Sequence, residues 1–159
     1  MLALVSTITR RTVRIAARAA HALLKAAWFF RRPRTFGAHA IALTADDRLI
    51  LVKLRYASGW RLPGGRRGKD EDASEAALRE MREEIGMTSH GRVQLACELE
   101  ESVDFKRDLS SIVIVRDVSY QPKKWNLEVE AVREAEVDCL PADLSPQTRR
   151  WLETVRPLL

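Results

Sequence analysis

Apolar and polar positions change period several times along this 159-residue chain, and each change predicts an element. From about Thr9 to Phe30 the period is helical. At 100° per residue, Arg10, Arg11, Arg14, Arg18 and Lys25 fall within roughly one 100° arc, with Val13, Ile15, Leu23 and Leu24 elsewhere around the wheel. Trp28, Phe29 and Phe30 close that helix, and Arg31-Arg32-Pro33 ends it, because proline steers the preceding residue away from helical geometry. The pattern then turns strand-like. AHAIALT (38–44) and RLILVKL (48–54) flank Ala45-Asp46-Asp47, which predicts a hairpin. A loop over Tyr56 to Gly59 leads into a short extended piece, Trp60-Arg61-Leu62, before Pro63-Gly64-Gly65.

A second helix opens at Asp72. With Glu75 three residues later this is an Asp version of the capping-box spacing; Ala76, Ala77, Leu78 and Met81 continue the helix, and Gly86 ends it just past the cap. Further strands are predicted over 92–101, 110–119 and 134–139. Ser145-Pro146 starts a last helix, serine as the cap and proline in the first turn, with an apolar face of Trp151, Leu152 and Val155. The organisation expected is a basic amphipathic helical extension, residues 1–35, followed by one compact domain, residues 36–159, large enough to bury a self-supporting core.

Charge changes this picture in one respect. The formal net charge is +5, yet no Asp or Glu precedes Asp46, while Arg10, Arg11, Arg14, Arg18, Lys25, Arg31, Arg32 and Arg34 all do. Everything after them is net negative. The basic balance therefore belongs to a segment and does not describe a DNA-binding domain. Three roles fit that segment: a helix laid on its own domain or on a second subunit of a homodimer, a helix lying in a membrane interface through residues 9–30, or a targeting peptide. No apolar run reaches 18 residues, so no membrane span is predicted and a cytoplasmic protein, free or membrane-peripheral, is expected. Cys97 and Cys139 lie far apart in apolar surroundings, outside any Cys-x-x-Cys pair, and read as buried reduced thiols.

The candidate chemistry sits on the second helix. Glu80, Glu83 and Glu84, spaced i, i+3 and i+4, share one face within about 100° of arc. Like charges so placed repel, and Glu83 and Glu84 also lie near the helix C-terminus, where the helix dipole disfavours negative charge. Electrostatics alone favours no such arrangement, although Arg79 and Arg82 could steady a merely solvated face. Pro63-Gly64-Gly65 places bare backbone just before the helix, with carbonyls able to point at the carboxylates. Mg²⁺ is commonly held by a few carboxylates together with substrate phosphate oxygens and water, and a carboxylate face beside a glycine loop suits it. A nucleotide P-loop is excluded, since Gly68-Lys69 is followed by Asp70 and the position five before Gly68 is Pro63.

The run from Gly65 resembles the signature of the Nudix hydrolases: Gly65, five residues, Glu71, seven residues, then Arg79-Glu80-Met81-Arg82-Glu83-Glu84-Ile85-Gly86-Met87. Gly59 to Gly65 and Leu140-Pro141 before the last helix also look like that family, so the resemblance covers about 36 to 156. Asp70 departs from the glycine often found before the glutamate. The resemblance implies an α+β fold, an α/β/α sandwich with a mixed sheet, and metal-dependent hydrolysis of a diphosphate linkage in a nucleoside diphosphate derivative such as a nucleotide, sugar nucleotide or ADP-ribose. It implies Mg²⁺ or Mn²⁺ on Glu80, Glu83 and Glu84, with the Gly64 carbonyl as a further ligand. Arg79 would orient a glutamate, Glu71 would support the loop or meet a second metal, and Gly65 and Gly86 would serve as backbone positions. The base that takes the water's proton is either a helix glutamate, Glu83, or a loop carboxylate among Glu130, Glu134 and Glu136, with Glu134 preferred. A catalytically silent nucleotide-binding module and an RNA 5′-end pyrophosphohydrolase are the alternatives. Intact glutamates speak against the first, and the want of a basic, aromatic-interleaved channel against the second. His21, His39 and His90 stand singly and read as surface or satisfied histidines; Trp60 reads as core.

Overall fold

The computed structural model describes residues 34–103, 106–122 and 126–159; the predicted N-terminal helix lies outside them. Strands β1 (Arg34–Ala42), β2 (Leu49–Leu54), β3 (Trp60–Arg61) and β4 (Gly64–Arg66) lead to helix α1 (Ala73–Glu84). Then come β5 (Met87–Ser89), β6 (Val93–Val103), β7 (Lys106–Val115), β8 (Ser119–Tyr120), β9 (Val129–Ala135) and helix α2 (Pro146–Val155). A mixed four-stranded sheet has the order β4-β1-β7-β6, beside a three-stranded sheet β3-β2-β9 and a small pair β5-β8.

The strands alternate as a sheet covered on both faces must. Ala38, Ala40, Ala42, Ile50, Val52, Val113 and Val115 face one core with Ala73, Ala76, Ala77 and Met81 of α1. Their neighbours Ile41, Leu43, Leu49, Leu51, Ile112 and Ile114 face a second core with Trp151, Leu152 and Val155 of α2. The result is the expected α/β/α sandwich around a mixed sheet. Both helices begin as expected. Asp72 accepts from the backbone N–H groups of Ser74 and Glu75, and Ser145 from that of Thr148; such a cap is worth about 1 kcal/mol.

Five expectations need correction. The turn at 45–47 forms, with Thr44 N–H on the Arg48 carbonyl at 2.9 Å and Asp47 at φ 53°. The two strands then part after the Leu43–Leu49 bridge. β1 pairs in parallel with β7 from Arg34 to Ala42, and β2 goes to β3 and β9. The glycines of Pro63-Gly64-Gly65 belong to a strand, β4, on the edge of β1. The strand expected over 134–139 is β9 instead, because pairing with β2 runs from Val129 opposite Leu54 to Ala135 opposite Leu49, and beyond that β2 offers no further partner. The strand expected over 110–119 is broken at Asp117, which has φ 55°, and resumes as β8. Cys97 is partly buried and Cys139 is exposed, so the second is no core thiol.

Candidate active site

Small residues bring α1 close to the sheet. Ala73, Ala76 and Ala77 are buried against the alanines of β1, and this lowers the helix until its glutamates reach the backbone of β4. Gly64 N–H donates to Glu84 Oε2 at 2.8 Å. A Cβ on Gly65 would stand 2.7 Å from the Glu80 carboxyl carbon, and one on Gly64, at φ +149°, 2.4 Å from the Ala38 carbonyl oxygen. No side chain fits at Gly64, where the clash is with backbone, and at Gly65 one would have to displace the Glu80 carboxylate. Gly86, at φ +69°, turns the chain out of the helix.

Arg79 is the organiser. Its Nη1 donates to Glu80 at 2.7 Å, its Nε to Glu71 at 3.2 Å and its Nη2 to the Arg66 carbonyl at 2.9 Å. Three elements, the loop, β4 and α1, are thereby pinned by one planar guanidinium, whose own pKa the bonds to Glu71 and Glu80 raise. Glu71 also accepts the Gly68 N–H at 2.8 Å, and this bond and Arg79 hold its carboxyl below the usual range. It is placed to brace the loop.

Glu80 and Glu84 are drawn in, with the Glu80 side chain only 13% exposed, whereas Glu83 is 61% exposed and sits 3.8 Å from Arg79. Burial raises the pKa of Glu80 in spite of Arg79. Glu84 is pushed up to about 8, first by burial and then by the charges of Glu80, Glu128 and Glu83, against the favourable Gly64 N–H.

Glu128 was not among the sequence candidates. It reaches the cluster through Asn126, whose Oδ1 accepts the N–H groups of Glu128 and Val129 at 2.8 and 3.0 Å and whose Nδ2 donates to the Glu83 carbonyl at 3.1 Å. Arg55 locks the same turn, its Nε donating to the Asn126 carbonyl and its N–H to that of Glu128. The Asn-Leu-Glu run before a strand was the available signal, since Asn side chains commonly cap such turns. The structure does not bring Glu134 to Glu84 in this way. Glu134 accepts from the Tyr120 hydroxyl at 2.9 Å and pairs with Arg48 at 3.3 Å, and Glu136 also pairs with Arg48. Glu130 is an exposed residue of β9.

Among the described residues no three His, Cys, Asp or Glu side chains are already gathered as a finished metal site; Glu80 is turned toward Arg79 and Glu84 toward Gly64. The donor set nevertheless fits a hard divalent cation. All the carboxylates supply oxygen, and the charge repulsion and burial that raise Glu84 are costs such an ion would relieve.

Beside Gly64 a cavity of about 460 Å³ opens on the α2 face of the sheet, with Thr35, His39, Tyr56, Arg61, Asp108 and Trp151 in its walls. His39, far from being an ordinary surface group, lies on its floor. Its ring stacks on Trp151 with centroids 4.5 Å apart, and burial lowers its pKa to about 4. Trp151 is itself held by its Nε1–H on Glu101 at 3.1 Å. Trp60, expected in the core, is half-buried, with Lys53 and Arg133 over its ring. Tyr56 joins cavity to cluster: burial and the charges of Glu128, Glu84 and Glu80 push its hydroxyl up to about 12.

A family model described as NUDIX domain matches residues 33–155. Over 52 residues the chain is 46% identical to a Bacillus subtilis (strain 168) protein provisionally named an 8-oxo-dGTP diphosphatase; the match takes in 33% of this chain and 35% of that protein. Over 75 residues it is 35% identical to Nudix hydrolase 10 of Arabidopsis thaliana, covering 46% of this chain and 27% of the relative. These alignments therefore span about a third of the relatives' own lengths. Among solved structures, a MutT NUDIX hydrolase from Burkholderia pseudomallei superposes with a TM-score of 0.65 at 28% identity, covering 77% of this chain and 98% of that one.

Proposed function

The chain belongs to the NUDIX family, and we propose that it is a metal-dependent pyrophosphohydrolase acting on a diphosphate linkage in a small nucleotide-type substrate. The observation that carries this reading is the seating of Glu80 and Glu84 against the glycines of β4, which also line the 460 Å³ cavity, with the charges of Glu83 and Glu128 acting on Glu84. Mg²⁺ or Mn²⁺ would be held by Glu80, Glu83 and Glu84, with the Gly64 carbonyl and Glu128 as further ligands. Such an ion supplies neutralisation of phosphate charge and a water acidic enough to attack at neutral pH.

The chain's own groups do the rest. Arg79 fixes Glu80 by a charge-assisted bond and keeps it from swinging to solvent. Glu71 braces the loop that sets the height of β4. Glu83, the exposed member of the set, and Glu128, whose charge reaches Glu80 and Glu84, are the carboxylates that would accept a proton from water. We assign the base role to these two in preference to Glu134, which Tyr120 and Arg48 already engage. The cavity receives the part of the substrate that is not phosphate. The bonds to Gly64 and Arg79 show the glutamates built into the fold, and this supports turnover over a silent binding module.

The test is hydrolysis by the purified chain of a panel of nucleoside triphosphates, sugar nucleotides, ADP-ribose and dinucleotides, with Mg²⁺, with Mn²⁺ and with EDTA. Diphosphate cleavage that EDTA abolishes is expected. Cleavage unaffected by EDTA, or none across the panel, would overturn the proposal.

A further inference from the structure

We infer that the cavity on the α2 face reads the hydrogen-bonding edge of a guanine base, with Asp108 as the specificity-determining residue and His39 beside it. This rests on the hydrolase reading above and names the base that accompanies the diphosphate.

Asp108 lies on β7, directly opposite Thr35 of β1 in the parallel register, and lines the cavity. Its two carboxylate oxygens are each fixed by one hydroxyl: Oδ1 accepts from Thr35, and Oδ2 accepts from Ser110 at 2.7 Å. Among the described residues it has no ion-pair partner, although Arg34, Arg61 and Arg66 line the same cavity. A carboxylate oxygen has two acceptor positions. One on each of the two neighbouring oxygens therefore remains, on a group that the two hydroxyls keep from rotating. Asp108 is half-buried, so an acceptor pair left unanswered there is costly, and a ligand that answers it is selected.

The backbone clears the space in front of it. Gly37 lies between Thr35 and His39 on β1, and a Cβ there would be 3.1 Å from His39 Nε2 and 3.5 Å from Asp108 Oδ2. Both polar atoms thus lie close over Gly37 in the cavity wall, and the absent side chain keeps them from being covered. His39 is held by its stack on Trp151, and neither ring nitrogen has a hydrogen-bond partner among the described residues. A ring N–H can donate there.

Base chemistry then decides. Two adjacent acceptors call for two adjacent donors, and guanine presents them as N1–H and the 2-amino group, with O6 alongside to accept from an imidazole N–H. Hypoxanthine keeps N1–H and O6 but lacks the amino group. Adenine and cytosine set their amino group next to a ring nitrogen acceptor, which would face a carboxylate oxygen, and uracil sets its one N–H between two carbonyls. The cavity borders Gly64, whose N–H holds Glu84. A guanine nucleotide can therefore lay its base on Asp108 with its phosphates toward the glutamates.

The experiment uses the full chain with Mg²⁺. Initial rates give kcat/KM for GTP, ITP, ATP, CTP and UTP, and calorimetry gives the affinity for GDP, IDP and ADP without turnover. GTP is expected to exceed ATP by about tenfold or more, the scale of one bidentate base contact, with ITP between them and the diphosphates in the same order. Asp108→Asn, which exchanges one acceptor for a donor, should bring the guanine-to-adenine ratio toward one. A merely structural role for Asp108 would weaken all bases alike and leave the ratio unchanged. Equal kcat/KM for GTP and ATP, or a ratio that D108N does not move, overturns the base reading and leaves the hydrolase reading standing. If no triphosphate is cleaved, GDP binding no tighter than ADP overturns the base reading, while the hydrolase reading is decided by the sugar nucleotides, ADP-ribose and dinucleotides of the wider panel.

Discussion

The two faces of strand β1 have been put to different uses. Toward α1 it presents Ala38, Ala40 and Ala42, small enough for a helix to lie close and lower Glu80 and Glu84 onto the backbone of β4. Toward α2 it presents Thr35, Gly37 and His39, which with Asp108 and Trp151 enclose a cavity. The first region is a continuous stretch of sequence, a loop and a helix from Gly64 to Gly86. The second is assembled from segments up to about 115 residues apart, Thr35 to Trp151. Chemistry common to a diphosphate can live on one rigid local unit, because the diphosphate does not change. In the proposed reading, recognition of what the diphosphate is attached to would fall to residues that strand register and the packing of α2 bring together.

The largest effect should come from the catalytic face. Glu83→Gln is expected to lower kcat by roughly 10²–10³-fold, the scale for removing one essential electrostatic group. The melting temperature should hardly move, since the side chain is 61% exposed. Steady-state kinetics with a thermal melt checks both halves, and full activity in the variant would break the distinction between the two faces.

Next comes the organiser. Arg79→Lys keeps the charge but not the fork that reaches Glu71, Glu80 and the Arg66 carbonyl together. A loss of roughly 10- to 100-fold in activity or metal affinity is expected, as for other groups that orient metal ligands. Retention of both in kinetics at varied Mg²⁺ would reduce Arg79 to a surface charge.

A third prediction concerns pH. The Glu84 pKa is raised from 4.5 to about 8 in the folded, metal-free chain. A carboxyl raised on folding favours the folded state while protonated, below its unfolded pKa, and that contribution is lost as pH rises from about 4.5 through about 8. His39, lowered to about 4, works in the opposite sense: its contribution is full above its unfolded value of 6.5 and is lost as pH falls through 4. Metal-free protein should therefore melt at a lower temperature at pH 8 than at pH 6, Mg²⁺ should restore more at pH 8, and Glu84→Gln should flatten the loss. Calorimetric scans with EDTA and with Mg²⁺ check this; an E84Q slope equal to the wild type would refute the burial argument.

The smallest effect sharpens the other side. Ser110→Ala removes one of the two hydroxyls that hold Asp108, and a fall of only a few-fold in any preference among bases is expected, about the worth of one hydrogen bond. A larger fall in Mg²⁺ affinity than in base preference would show that the faces are not separable.

This division also explains what could be read in advance. Asp72, the spacing of Glu80, Glu83 and Glu84, and the ends of both helices obey local rules of capping and period, so their positions were legible. The turn at 45–47 was legible too, but not that its strands part. That outcome belongs to the nine-residue pairing of β1 with β7, whose residues lie some 73 positions away. Glu128 escaped notice because its place depends on Asn126 reaching the end of α1, and nothing local to Glu134, the preferred one of three nearby glutamates, shows that the fold pairs it with Tyr120 and Arg48. His39, isolated in sequence, gained its setting only when Trp151 arrived over it.

The central claim is that the glutamate face of α1 holds a divalent cation. Anomalous diffraction from crystals grown with Mn²⁺ and a nucleoside diphosphate tests it most directly. The account predicts a manganese peak ligated by Glu80, Glu83 and Glu84, lost in Glu83→Gln crystals grown alike; crystals with nucleotide bound and no manganese at those carboxylates would contradict it.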